Sequence, residues 1–195
     1  MLQQLVAGLL ATSPLEAAAV VFGLAYSVLA VRGRRECWIA GGLSSLLFVY
    51  LSAVAALPMQ SGLQVYYVIM ALYGWVRWSR PGPAARIGTL ALRWHCVAIA
   101  IVLAASVPAA ALLARETHAA WPYLDSVTTL GSLFATWLIA RRILENWLYW
   151  ILIDALLAFL FAAQGLLFTA LLFTIYLGVS TIGWFTWRRH RDCAQ

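Results

Sequence analysis

The strongest chemical signal in the sequence is a short stretch holding Asn146, Trp147, Trp150 and Asp154, at and inside the apolar run 147–163. On an α-helix Asn146, Trp150 and Asp154 are spaced by four and share a face. Polar groups inside an apolar span are costly in lipid and turn toward the interior of a bundle. An amide, an indole and a carboxylate together could hold an aromatic ring and hydrogen-bond to its substituents. Two neighbouring runs add a second polar and aromatic set, with Gln60, Gln64, Tyr67 and Met70 in one and Thr169, Phe173, Tyr176 and Ser180 in the other. The candidate substrate-binding residues are Trp38, Ser45, Gln64, Tyr67, Asn146, Trp147, Trp150, Asp154, Thr169 and Tyr176. Each has a plainer reading. Trp38 and Trp147 suit an interfacial aromatic belt, and so do Trp75, Trp78, Trp184 and Trp187 beside their arginines, where the belt is the favoured account. Asp154 could serve as a structural carboxylate.

Other chemistries fit less well. His95, His118 and His190 are dispersed, with neither an HExxH pattern nor a Cys/His pair at ligand spacing, so neither a metal site nor a cofactor is expected. A Walker-type glycine loop is missing. A covalently bound retinal needs a lysine, and the chain has none. Gly42-Leu43-Ser44 is weakly suggestive of a serine nucleophile, but no histidine lies in a matching span. The expectation is a protein that is not an enzyme.

The elements that must position these residues are helices in a membrane. Of the 195 residues 64% are hydrophobic and 10% are charged, far below the roughly 25% charge of a soluble domain. Seven runs approach the roughly 20 apolar residues of a spanning helix: 15–31, 37–57, 63–78, 94–114, 121–140, 147–163 and 166–187. They do not alternate as barrel strands would, so the fold is expected to be all-α and integral to the lipid bilayer. The net charge of +6 comes from arginines beside helix ends, which argues for topology rather than nucleic-acid binding. With seven spans, Arg32, Arg34, Arg35, Arg77, Arg80, Arg86, Arg93, Arg141, Arg142, Arg188, Arg189 and Arg191 fall on one side and Arg115 on the other. This predicts an outside N-terminus and a cytoplasmic C-terminus. Residues 1–13 lack a basic start and read as an uncleaved tail, and Cys37, Cys96 and Cys193 read as free thiols.

The chain also matches itself at a single offset of 109 residues. Glu36-Cys37-Trp38 falls on Glu145-Asn146-Trp147, and Gly74-Trp75-Val76-Arg77-Trp78 falls on Gly183-Trp184-Phe185-Thr186-Trp187, with Arg32 on Arg141 and Tyr67 on Tyr176. A three-helix repeat over 15–80, a linker helix over 93–114 and a second repeat over 121–187 follow, within a single transmembrane domain. The odd linker helix makes the repeats parallel, a 3+1+3 plan like that of full-length SWEET proteins. The partners of Asn146, Trp150 and Asp154 are Cys37, Gly41 and Ser45. One half is thus expected to supply an aromatic wall and the other to supply space, around a pathway for a small molecule.

The run Arg141-Arg142-Ile143-Leu144-Glu145-Asn146-Trp147-Leu148-Tyr149-Trp150 followed by Asp154, with the Gly-Trp-x-x-Trp ends at Gly74 and Gly183, resembles the PnuC family of vitamin transporters. The likeness extends from about residue 16 to 187, and it departs in helix 2, where Cys37-Trp38 stands for an Asn-Trp start. It implies inner-membrane uptake of nicotinamide riboside by facilitated diffusion, trapping by a cytoplasmic kinase that need not touch the transporter, and a homotrimer. Asn146, Trp147 and Trp150 would line the vitamin site, with Trp150 stacking on its ring. Thiamine or riboflavin is the alternative substrate. A membrane scaffold or sensor without a pathway is the alternative of another class.

Overall fold

The computed structural model describes residues 13–55, 58–80, 86–116 and 121–193. Residues 1–12 of the tail expected over 1–13, the end of the second span at Leu57, and His118 lie outside them. Seven helices fill these segments: α1 (Pro14–Val31), α2 (Cys37–Val54), α3 (Pro58–Trp78), α4 (Leu92–Glu116), α5 (Pro122–Ala140), α6 (Asn146–Ala163) and α7 (Leu167–Asp192). The all-α expectation holds. The one β feature among the described residues is an isolated bridge, Gly88 to Ile143.

Five of the helices, α1, α2, α4, α6 and α7, are long and apolar enough to cross a membrane. The expectation was seven. The two others, α3 and α5, carry several of the bundle's polar side chains, including Gln64 on α3 and Asp125, Thr128 and Ser132 on α5, and they pack against each other.

Helix ends follow local chemistry. Ser13 caps α1 by accepting from the Glu16 backbone N–H at 3.2 Å, with Pro14 in the first turn, where its missing donor costs nothing. At the other end Gly33 takes φ 66° and the Arg34 N–H returns to Leu29 O at 3.0 Å, the left-handed stop that closes many helices. At the end of α5, 109 residues on, Arg142 holds φ 57° and Ile143 N–H returns to Leu138 O at 3.0 Å. A side chain in that region costs roughly 1–2 kcal/mol. Its guanidinium offsets this by lying 4.0 Å over the Trp78 ring and donating to Gly33 O at 3.3 Å.

Six helices close a ring through the contacts α1–α2–α3–α5–α6–α7–α1. The linker helix α4 stands outside the ring and packs along α5. At one end of the ring four indoles pack together: Trp38 on Trp78 at 5.5 Å and Trp187 on Trp147 at 5.4 Å edge to face, and Trp78 on Trp187 at 6.0 Å with tilted rings. The belt reading, favoured for Trp78 and Trp187 and the alternative to a site role for Trp38 and Trp147, does not hold for these four, which are all at most 5% exposed. Trp38 and Trp147 are drawn inside because Gly74 and Gly183 have no side chain: a Cβ at Gly74 would fall on the Trp38 ring, and one at Gly183 on the Trp147 ring. Trp75 and Trp184 are half-buried at the rim of the same cluster. The Trp78 indole N–H donates to Ala140 O at 3.1 Å, and the Trp187 N–H to Ala30 O and Val31 O, each at 3.1 Å.

The two glycine contacts make a stability test. Gly74→Ala and Gly183→Ala each force an indole out of its seat, and the expected loss is about 1–3 kcal/mol, the usual range for overpacking, read as a lower thermal midpoint in detergent. Gly178→Ala, where an added Cβ meets nothing within 4 Å, leaves the midpoint unchanged or raises it.

Candidate functional site

The ring encloses a cavity of about 380 Å³, within the roughly 300–1,000 Å³ range of small-molecule sites. All six ring helices contribute to its lining, whereas α4 contributes nothing. Of the residues singled out from the sequence, Trp38, Ser45, Gln64, Tyr67, Trp147, Trp150, Asp154 and Tyr176 line it.

Asn146 and Thr169 do not. Helical steps of four overshoot a turn by about 40°, so Asn146 is rotated about 80° from Asp154 and Trp147 takes the cavity-facing place. Asn146 is fully buried instead, its amide nitrogen donating to Ile143 O at 2.6 Å while its Oδ1 has no partner. Thr169 lies a turn beyond Phe173, whose ring stacks on Phe161 at 5.4 Å; both of those rings line the cavity.

Asp154 is 3% exposed, and its Oδ2 accepts from Ser180 Oγ of α7 at 2.9 Å. That bond fixes the carboxylate's direction on the cavity wall. Across the ring, Tyr67 OH and Ser132 Oγ lie 2.6 Å apart and tie α3 to α5. The position 109 residues after Tyr67 is Tyr176, and that before Ser132 is Gly23. A Cβ on Gly23 would lie 2.8 Å from the Tyr176 hydroxyl. The contact is thus kept, but the hydrogen bond is absent, which leaves the Tyr176 hydroxyl on the cavity wall available to a ligand.

The expected division into an aromatic half and a roomy half needs correction. Gly41, the partner of Trp150, does not leave space: the Tyr26 ring fills it, 2.8 Å from where a Cβ would stand. Tyr26 corresponds in turn to Ala135. At these two pairs of positions each half therefore supplies one bulky ring, from α1 in the first (Tyr26) and from α6 in the second (Trp150), and both line the cavity.

Sequence reasoning missed the contributions of α1 and α5. Tyr26 and Ser27 come from α1, and Asp125, Thr128, Thr129, Ser132 and Thr136 from α5. The latter set repeats every three or four positions inside an otherwise apolar segment, the stripe that lipid penalises and a pathway uses. The lining holds two carboxylates, Asp125 and Asp154, and not one Lys, Arg or His among the described residues. No group of described His, Cys, Asp and Glu residues has the arrangement of a metal site.

The tyrosine pair separates bonded from free hydroxyls. Tyr67→Phe removes the link to Ser132 and is expected to cost about 1 kcal/mol, seen as a lower thermal midpoint. Tyr176→Phe leaves the midpoint of the ligand-free protein unchanged.

Comparison with known proteins adds three findings. The family described as "Nicotinamide mononucleotide transporter" matches residues 13–189. The "Riboflavin/roseoflavin transporter RibM" of Streptomyces davaonensis is 28% identical over 180 residues, which cover 88% of this chain and 84% of that protein, and the "Nicotinamide riboside transporter PnuC" of Escherichia coli is 25% identical over 132 residues, 53% of this chain and 55% of that protein. In fold, the chain is similar to the structure described as "Crystal structure of the Vitamin B3 transporter PnuC", with a TM-score of 0.68 and 24% identity over 100% of this chain and 91% of that one.

Proposed function

The chain belongs to the nicotinamide mononucleotide transporter family, a multi-pass inner-membrane vitamin transporter by that membership, and from this premise we propose that its substrate is nicotinamide riboside. The observation that carries the proposal is the charge of the cavity. Nicotinamide riboside is a flat pyridinium cation bearing an amide and ribose hydroxyls. Two carboxylates and several aromatic rings line the cavity, and such a wall attracts a cationic ring by charge and by its ring faces. The phosphate of a mononucleotide would meet Asp125 and Asp154 with no basic side chain to balance it, so the nucleoside form is favoured over the nucleotide in the family's description.

In this reading Trp150 stacks on the pyridinium, Asp154 faces its charge, and the Tyr176 hydroxyl bonds to the ribose. Passage is facilitated diffusion toward the arginine-rich, cytoplasmic side, and a cytoplasmic kinase traps the product. The C-terminus lies on that side. The halves are parallel three-helix repeats joined by α4, a 3+1+3 plan supported by the reciprocal contacts at an offset of 109. A homotrimer completes the proposal.

Riboflavin is the second reading, favoured by the longer match to the Streptomyces transporter. Its ring system is uncharged, so the two vitamins respond differently to loss of the carboxylate. Asp154→Asn is expected to weaken nicotinamide riboside binding about tenfold, the scale of one charge-assisted bond, and to leave riboflavin binding unaltered. Calorimetry on detergent-purified protein with nicotinamide riboside, thiamine and riboflavin decides the substrate. Retention of riboflavin alone by the wild type would transfer the assignment to the second reading. Binding of none of them, in wild type and Trp150→Ala alike, would reopen the possibility of a scaffold or sensor.

A further inference from the structure

Outside the ring, α4 and α5 flank a groove of about 750 Å³ that the transport pathway does not use. Its α4 wall runs from Trp94 through Ala98 and Ile101 to Ala105, and its α5 wall from Leu130 through Phe134 to Arg141. Positions 94, 97, 98, 101, 102 and 105 form one continuous helical stripe, and almost the whole surface is hydrocarbon or aromatic. Eleven residue steps of α4 make the groove about 16 Å long. Half of a bilayer's roughly 30 Å hydrocarbon core is about 15 Å. The groove is therefore as deep as one leaflet, not as long as a helix-to-helix contact across the membrane.

Its basic end has the chemistry of an anionic headgroup site. The Arg141 guanidinium lies 4.8 Å over Trp137 on one wall, and Arg93 lies 5.7 Å over Trp94 on the other. Both arginines are exposed, and neither takes part in an ion pair among the described residues. The Glu145 carboxylate at this end is engaged by the Leu90 backbone N–H at 3.3 Å. His95 is buried away from solvent against Tyr149, 2.9 Å from its hydroxyl.

We infer that the α4/α5 groove binds one anionic phospholipid from the leaflet on the arginine-rich side, an acyl chain lying along Ile101 and Phe134 and the phosphate between Arg93 and Arg141. The match is of length and of charge together: apolar surface for one leaflet, then a pair of unpaired cations at headgroup level. A second copy of the chain is the competing occupant, but it would have no reason to end its contact at mid-membrane.

Native mass spectrometry of the detergent-purified protein, incubated with phosphatidylglycerol or with phosphatidylcholine, tests this. Wild type is expected to retain one phosphatidylglycerol per chain in preference to phosphatidylcholine. Arg93→Gln with Arg141→Gln lowers phosphatidylglycerol retention by about fivefold per arginine and leaves phosphatidylcholine alone, and Ala98→Trp, which fills the groove, reduces both. Equal retention of the two lipids, or undiminished phosphatidylglycerol on the double variant, overturns the inference. So does an Ala98→Trp protein that dissociates into single chains with its lipid retention unchanged, because the groove is then a contact between copies.

Discussion

The architecture depends on two indole N–H groups that cross between the halves of the chain. The last carbonyls of a helix have no partner within it, and water is not there to serve them in an apolar bundle. Trp78 supplies a donor to Ala140 at the end of α5, and Trp187 supplies one to Ala30 and Val31 at the end of α1. Each half thus finishes a helix that the other half leaves open. Breaking the Trp78 bond strands a donor and Ala140 O, and loss of the Trp187 donor strands Val31 O while Ala30 O keeps the Gly33 N–H, each stranded group costing on the order of 1–3 kcal/mol. The four-indole cluster, the seats at Gly74 and Gly183 and the unusual backbone of Arg142 are all arranged around these two bonds.

Much of this was legible before any coordinates. The apolar runs located all seven helices to within about five residues, and the offset of 109 paired tryptophans that make matching contacts, Trp78 with Trp187 at helix-end carbonyls and Trp38 with Trp147 at glycines. The burial of Trp78 and Trp187 was not legible. A tryptophan next to an arginine at a helix end looks the same whether it faces headgroups or a neighbour's helix end, and only the bonds to Ala140, Ala30 and Val31 and the packing on Trp38 and Trp147 decide. At the cavity, the three residues chosen at steps of four on α6 reached the wall at Trp150 and Asp154 and missed it at Asn146, because the helical repeat drifts away from four. The polar stripe of α5 is written in its spacing, but hydroxyls that can bond back to their own helix, as Thr128 and Thr136 do, mark a pathway less plainly than aromatics and a carboxylate.

Three of the differences between positions 109 residues apart bear directly on the cavity. Ser132 stands for Gly23, Trp150 for Gly41, and Tyr26 for Ala135. Outside the cavity, Arg142 stands for Gly33 and yet keeps the same left-handed backbone. The cavity wall mixes both kinds of position: Trp38 and Trp147, and Tyr67 and Tyr176, repeat, whereas the first three pairs diverge. A symmetric frame with an asymmetric lining can present different groups to the two ends of one small molecule.

The reciprocity of the indole bonds has the form of an isologous interface, in which one patch meets its own copy. In the parallel arrangement proposed above, nothing in that patch requires the two halves to share a backbone. Two polypeptides, each carrying one three-helix unit, could meet by the same exchange of donors, with α4 dispensable to their recognition. Fusion through α4 then gains independence between the two genes' worth of sequence: a substitution such as Ser for Gly at position 132 is made once, not forced on both sides. Covalent linkage is in this sense what frees a homodimer-like frame to become selective.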